Sequence, residues 1–375
     1  MTIPSPIHEC ISNYKLEWIK PESDSRAGAS TGYMEEQMLC EFLPWGDGGC
    51  SILATSGSVE LEYAAMRKNV GIFDAGNRGT IYLRGEERLS FIDRMTTQKL
   101  SDMKEGESRL AFIIDRKGRI VADIIVVYEA EQVLIDCDVT VVQPIIAHFE
   151  KYIVTDDVIV QNETNEKHRL WLLGPCLKEI EHLDSYECSQ FNLPQQFLGI
   201  DGIAIVVDPE KSEQVWCSLV EQQIRPVGWN ALNMIRVEEL TPMFRIDFDN
   251  KNLPHETSLC DSRVRFDKGC YLGQEVVARM ESLGRPKQHL VSLEMSCDDL
   301  PVAGTQVWDQ ESKGEGKAIG VVTSSAMSPM RGGDIAVIAM VKSSNAAKNT
   351  EVFPWIGSEL IKAVIQPLSP KEEMA

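Results

Sequence analysis

Residues 263–285 read RVRFDKGCYLGQEVVARMESLGR, and the interpretation of the whole chain turns on them. Lys268-Gly269-Cys270-Tyr271 sets a thiol two residues after a cation and directly after a glycine. An ammonium aimed at that sulfur would favour thiolate over thiol. Gly269 and Gly273 permit backbone to approach a ligand or another segment closely. Gln274 and Glu275 add an amide and a carboxylate beside them. Two readings of Cys270 stand side by side: a reactive thiol, or a small buried hydrophobe in a tight turn, the commoner fate of a free cysteine.

Upstream, periodicity predicts a helix over 59–68, a strand over 80–83, a break at Gly85 and a helix over 86–95. Strands follow at 110–114 and 120–128, joined by a turn at Arg116-Lys117-Gly118, then a strand over 133–137 and a helix over 141–152. The pattern recurs. A strand over 169–173 ends at Gly174, a helix is expected over 175–182, short strands at 197–198 and 203–207 flank Gly199-Ile200-Asp201-Gly202, and a helix covers 212–224. Two related α+β halves are implied. Downstream of Arg285-Pro286, short β-rich runs at 289–294, 305–308, 318–324, 334–340 and 360–364 suit a small antiparallel barrel. The segmentation is an extension over 1–54, an α+β domain over 55–285, a barrel over 286–368 and a tail over 369–375. Within the extension, 21–32 reads as a loop and 46–49 as a turn.

The chain has 375 residues and a formal charge of −20, which argues against a generic nucleic-acid or anionic-membrane binder. Its ten cysteines form no Cys-x-x-Cys pair and sit mostly among apolar neighbours. No leader-like or ~20-residue apolar run is present, so a cytoplasmic protein with reduced thiols is expected. Six histidines show no metal-ligand spacing, and no P-loop or Gly-x-Ser-x-Gly elbow occurs. Residues 314–320, GEGKAIG, read as a hairpin turn rather than a dinucleotide loop. Asp123 interrupts the apolar run Ile120–Ile125, so its carboxylate lies at an edge or points into a polar cavity.

KGCYLGQE at 268–275, with Val276–Arg279 following, resembles the signature of the YgfZ family, within the folate-binding superfamily of the glycine-cleavage T-protein (aminomethyltransferase). VGIFDAGNRG (70–79), RMTTQ (94–98), LTPMFRIDFDNKNLPHETSL (240–259) and IGVVTSSAMSPMRGGDIAVIAMV (319–341) resemble other parts of that superfamily in the same order. The resemblance implies an α+β, T-protein-like folate-binding fold: two related α+β subdomains and a C-terminal antiparallel β-barrel around a central hole. It implies tetrahydrofolate or a derivative as cofactor, and iron–sulfur proteins or their assembly factors as partners. It makes Cys270 and Asp123 the catalytic candidates. Asp123, Tyr271, Gln274, Glu275, Arg279 and Glu256 become folate contacts, and Lys268, Gly269 and Gly273 the structural motif.

Three departures matter. The T-protein carries an acid where this chain has Ala122, and a pterin-binding glutamate where the Gly199–Gly202 turn offers Ile200. YgfZ's Pro-Arg-Phe-Gly stands here as Pro242-Met243-Phe244-Arg245. An isoleucine cannot pair bidentately with the amidine edge of a pterin. Three functions compete: a YgfZ-like protein supporting iron–sulfur cluster assembly or repair with Cys270 as working thiol, a folate-dependent aminomethyltransferase, and a non-catalytic folate-binding scaffold.

Overall fold

The computed structural model describes residues 5–13, 40–46, 49–181, 183, 186, 188–297, 299–310 and 316–368. The loop expected over 21–32, parts of the turns at 46–49 and 314–320, and the tail from 369 lie outside them.

The helix Val59–Lys68 starts where Ser58 caps it, accepting from the Leu61 amide, with Glu60 and Glu62 in its first turn and Arg67 and Lys68 in its last. Just beyond it the chain feeds two sheets. Gly71–Asp74 joins one, and Arg78–Arg84 the other. The first half forms an antiparallel sheet in the order Ser108–Ile114, Ile120–Tyr128, Val133–Asp138, Arg78–Arg84, Ile159–Asn162. The second half gives the order Ser189–Leu193, Gly202–Val207, His168–Leu173, Gly71–Asp74, Arg225–Pro226, with only the last pair parallel.

The halves share a plan. In each, the strand that precedes the helix (Val133–Asp138 before Val142–Glu150, Gly202–Val207 before Pro209–Glu221) lies between the first strand, Arg78–Arg84 or His168–Leu173, and the strand just before it in sequence, Ile120–Tyr128 or Ser189–Leu193. In each, the first strand ends at a glycine with positive φ, +101° at Gly85 and +140° at Gly174. A Cβ there would sit 2.2 Å from the Asp157 carbonyl oxygen or 2.1 Å from that of Asn69. Both positions therefore demand glycine twice over, by conformation and by space.

Several elements differ from expectation. Of the helix expected over 175–182, residue 182 lies outside the described residues, and the rest holds a 3-10 turn, Leu177–Glu179, after which Ile180 is extended. Leu177, Ile180 and Leu183 pack on one core, so an i, i+3, i+6 apolar spacing arises without a helix. Residues 197–198 belong to a short helix, Gln195–Leu198, closed by Gly199 in the left-handed region. The strand paired with Gly202–Val207 is Ser189–Leu193, in which only Phe191 and Leu193 face inward, too sparse an alternation to read beforehand. The hairpin of Glu41–Trp45 and Cys50–Thr55, the helix Trp229–Glu238 and the strand Glu351–Ile356 also escaped the sequence reading.

The C-terminal strands close. Gln306–Trp308, Ala318–Met327, Ile335–Lys342, Gln288–Met295, Ala363–Gln366 and Glu351–Ile356 pair in that order, and the last pairs back to the first. The resulting six-stranded antiparallel barrel has its own core of Val291, Leu293, Val337, Ala339, Val352 and Ile365. The α+β class with a C-terminal barrel is thus as expected. Among the described residues, no helix is long and apolar enough to cross a membrane.

Candidate functional site

The crossover between the two sheets places Asn77 and Arg78 between them. Here a narrow slot opens, with a cavity volume of about 20 Å³. Asp123, from mid-strand, and Asp138, from a strand end, line one part of it. Trp171, Phe197, Trp45 of the N-terminal hairpin and Trp229 at the start of its helix supply aromatic walls. Pro242, Met243 and Phe244 complete the lining. Trp45 and Trp229 meet edge to face, 4.9 Å between ring centroids.

The charges around this slot are buried and balanced. Asp123 faces the fork of the fully buried Arg263, with Nε 3.4 Å from Oδ1 and Nη2 3.5 Å from Oδ2. Arg263 Nη1 also donates to the Gln196 carbonyl at 3.1 Å and to Ser262 Oγ at 2.6 Å. Burial pushes the Asp123 carboxyl above its ordinary value, and the attraction of Arg263, then of Arg78, offsets only part of this. Asp136 holds two guanidiniums: Arg78 Nε donates to it at 2.6 Å, and Arg169 Nε lies 2.9 Å away. Burial works against the charge on Arg78, but Asp136, Cys137 and Asp138 outweigh it and raise its pKa. The Arg78 guanidinium lies over the rings of Phe197, at 5.0 Å, and Trp171, at 5.8 Å. Asp138 accepts from Trp45 Nε1 and from the Thr140 amide, each at 2.8 Å. Three carboxylates thus stand against three guanidiniums, an arrangement suited to a flat, polar, uncharged ring rather than a charged one.

Two polar atoms of the lining are left over. Asn77 Oδ1 and Trp171 Nε1 are buried, and neither has a hydrogen-bond partner.

The turn at 199–202 brings no carboxylate to the slot. Ile200 is buried in the same apolar cluster as Trp171 and Phe197, and Ala122 is fully buried. Of the expected folate contacts, Asp123 lines the slot. Tyr271, Gln274, Glu275, Arg279 and Glu256 do not. Glu256 caps its own 3-10 turn, accepting from Asn252 Nδ2 at 2.8 Å and from the Leu253 amide at 3.2 Å. Glu275 and Arg279 project to solvent from the helix Gln274–Leu283, and Gln274 is half-buried.

Cys270 also lies outside the lining, and among the ten free cysteines it is the exposed one. Its loop is pinned on both sides. The Lys268 side chain is fully buried, and its Nζ donates to the carbonyls of Asp93, Thr96 at 3.0 Å and Gln98 at 2.6 Å, where the helix Arg88–Met95 ends. The expectation that Lys268 serves the sulfur is therefore corrected: its ammonium is spent on orphan carbonyls at a helix C-terminus. Burial lowers its pKa to about 8, against the opposing pull of Asp93. Tyr271 packs under the loop, its ring centroid 5.2 Å from that ammonium, and burial pushes its hydroxyl up to about 12. Gly273, with φ +79°, leaves no room for a Cβ, which would fall 2.4 Å from the Asp115 carbonyl oxygen. Gly269 faces open space, so no close approach accounts for it.

Residues 44–192 match the GCVT N-terminal domain, and residues 288–370 match the glycine cleavage T-protein C-terminal barrel domain. These matches take in more than half of the chain, which belongs to the aminomethyltransferase (glycine-cleavage T-protein) superfamily. The aminomethyltransferase of Halalkalibacterium halodurans is 24% identical over 342 residues, covering 85% of this chain and 91% of that one. That of Thermosynechococcus vestitus is 26% identical over 343 residues, covering 87% and 91%. The crystal structure of the glycine cleavage system aminomethyltransferase T from Bartonella henselae superposes with a TM-score of 0.79 over 98% of each chain, at 18% identity.

Proposed function

We propose that this chain binds a reduced folate in the slot and acts as a YgfZ-like protein, supporting iron–sulfur cluster assembly or repair through the Cys270 thiol. The chemistry of the lining supports this reading: aromatic walls for a flat heterocycle, balanced charges for an uncharged one, and two unpaired polar atoms for its edge. The observation that carries the thiol's role is the position of Cys270, exposed on a loop locked by Lys268 and Gly273. A thiol that works on a protein partner must be reachable, and its loop must hold still. Ten free cysteines suit a reducing compartment.

Aminomethyl transfer is the less favoured reading, although the relatives carry that name. The acid at 122 is missing, and Asp123 is already engaged by Arg263. The test is made in host cells lacking the chromosomal copy. The wild-type chain restores iron–sulfur enzyme activities, whereas Cys270→Ala folds normally and fails to restore them. Full restoration by Cys270→Ala would leave the scaffold reading. Turnover of an aminomethylated carrier by the purified protein would establish the transferase instead.

A further inference from the structure

Buried polar groups in folded proteins are nearly always paired, so an orphan on a cavity wall calls for an explanation. Asn77 is 4% exposed and Trp171 1%, and both line the slot. Asn77 Oδ1 is an acceptor and Trp171 Nε1 a donor, and neither has a hydrogen-bond partner within the protein. The charged groups that line the slot are already paired: Asp123 with Arg263, Asp138 with Trp45 and Thr140, Arg78 with Asp136. A ligand edge that satisfies both orphans offers one N–H and one acceptor oxygen and carries no net charge.

We propose that Asn77 and Trp171 read the lactam edge of the bound ring, Asn77 Oδ1 accepting from the ring N–H and Trp171 Nε1 donating to the ring carbonyl. This rests on the reading of the slot as a folate site, and it supplies what Ile200 cannot. Recognition passes from a charge-assisted pair at residue 200 to two neutral hydrogen bonds made by residues 77 and 171. Such a site tells ring edges apart strongly, because the wrong edge leaves buried groups unpaired.

The test is calorimetric titration of the full chain with tetrahydrofolate and with its 4-amino analogue, which replaces the carbonyl by an amino group and the ring N–H by an acceptor nitrogen. The wild type should bind tetrahydrofolate at least about tenfold more tightly than the analogue. Asn77→Leu and Trp171→Phe, checked for native folding by circular dichroism, should each weaken tetrahydrofolate binding about tenfold or more. Trp171→Phe should also erase most of the preference between the two ligands. The wild-type comparison needs no variant and stands even if both variants misfold. Equal wild-type affinities would overturn the assignment while leaving the folate site in place. Failure of the wild type to bind either ligand would remove the folate reading, and this assignment with it.

Discussion

Replacing Arg263 by methionine should lower the free energy of unfolding by about 3–5 kcal/mol, the usual cost of stranding one member of a buried ion pair. Arg263 is fully buried, and Asp123 is 6% exposed. Without the guanidinium, the carboxylate keeps only the more distant attraction of Arg78. The Gln196 carbonyl and Ser262 Oγ lose a donor as well. The double variant Asp123→Leu/Arg263→Met removes both charges and should recover much of the loss, since an apolar pair of similar volume carries no desolvation penalty. Urea denaturation of the three proteins measures this. A loss below about 1 kcal/mol in the single variant would mean that the pair is solvated and that Asp123 is free for other chemistry.

Cys270 should react with iodoacetamide about a thousandfold faster than Cys137. Cys137 is fully buried, and burial pushes its thiol well above the ordinary cysteine value, with Asp136 and Asp138 adding to the effect against the pull of Arg78. Only an opening of the first sheet exposes it, and each 1.4 kcal/mol of opening free energy slows the reaction about tenfold. Cys270 needs no opening. Peptide mass spectrometry over a time course gives both rates. Comparable rates would mean that the first sheet opens readily or that the Cys270 loop is covered.

The fold was legible where one periodicity ran unbroken. The strand Ile120–Tyr128 and the helix Val59–Lys68 fall at the residues their patterns give. It was illegible where few side chains point inward, as in Ser189–Leu193, or where tertiary packing holds a segment too short to be periodic, as at Leu177–Glu179. Asp123 was found in the sequence because a carboxylate interrupting an apolar strand is conspicuous. Asp136 in Val133–Asp138 and Arg169 in His168–Leu173 carry the same signal and could have been found with it. Arg263 stood inside the decisive stretch, but its partner lies 140 residues away, and no local spacing discloses such a pairing. Trp45, Trp171 and Trp229 come from a hairpin, a mid-strand position and a helix start, and only the folded chain brings them around one slot. Lys268 was misread for a related reason: sequence proximity to Cys270 suggested a partner, while the ammonium found three carbonyls of a helix end remote in sequence.

Everything proposed for the slot between the two sheets depends on its holding a reduced folate ring. Titration calorimetry of tetrahydrofolate into the full chain tests it most directly, with Trp229→Ala as the variant that removes one aromatic wall. The wild type should bind saturably, one to one, and the variant about tenfold or more weakly. Absence of saturable heat up to about 1 mM, or equal binding by Trp229→Ala, would contradict it.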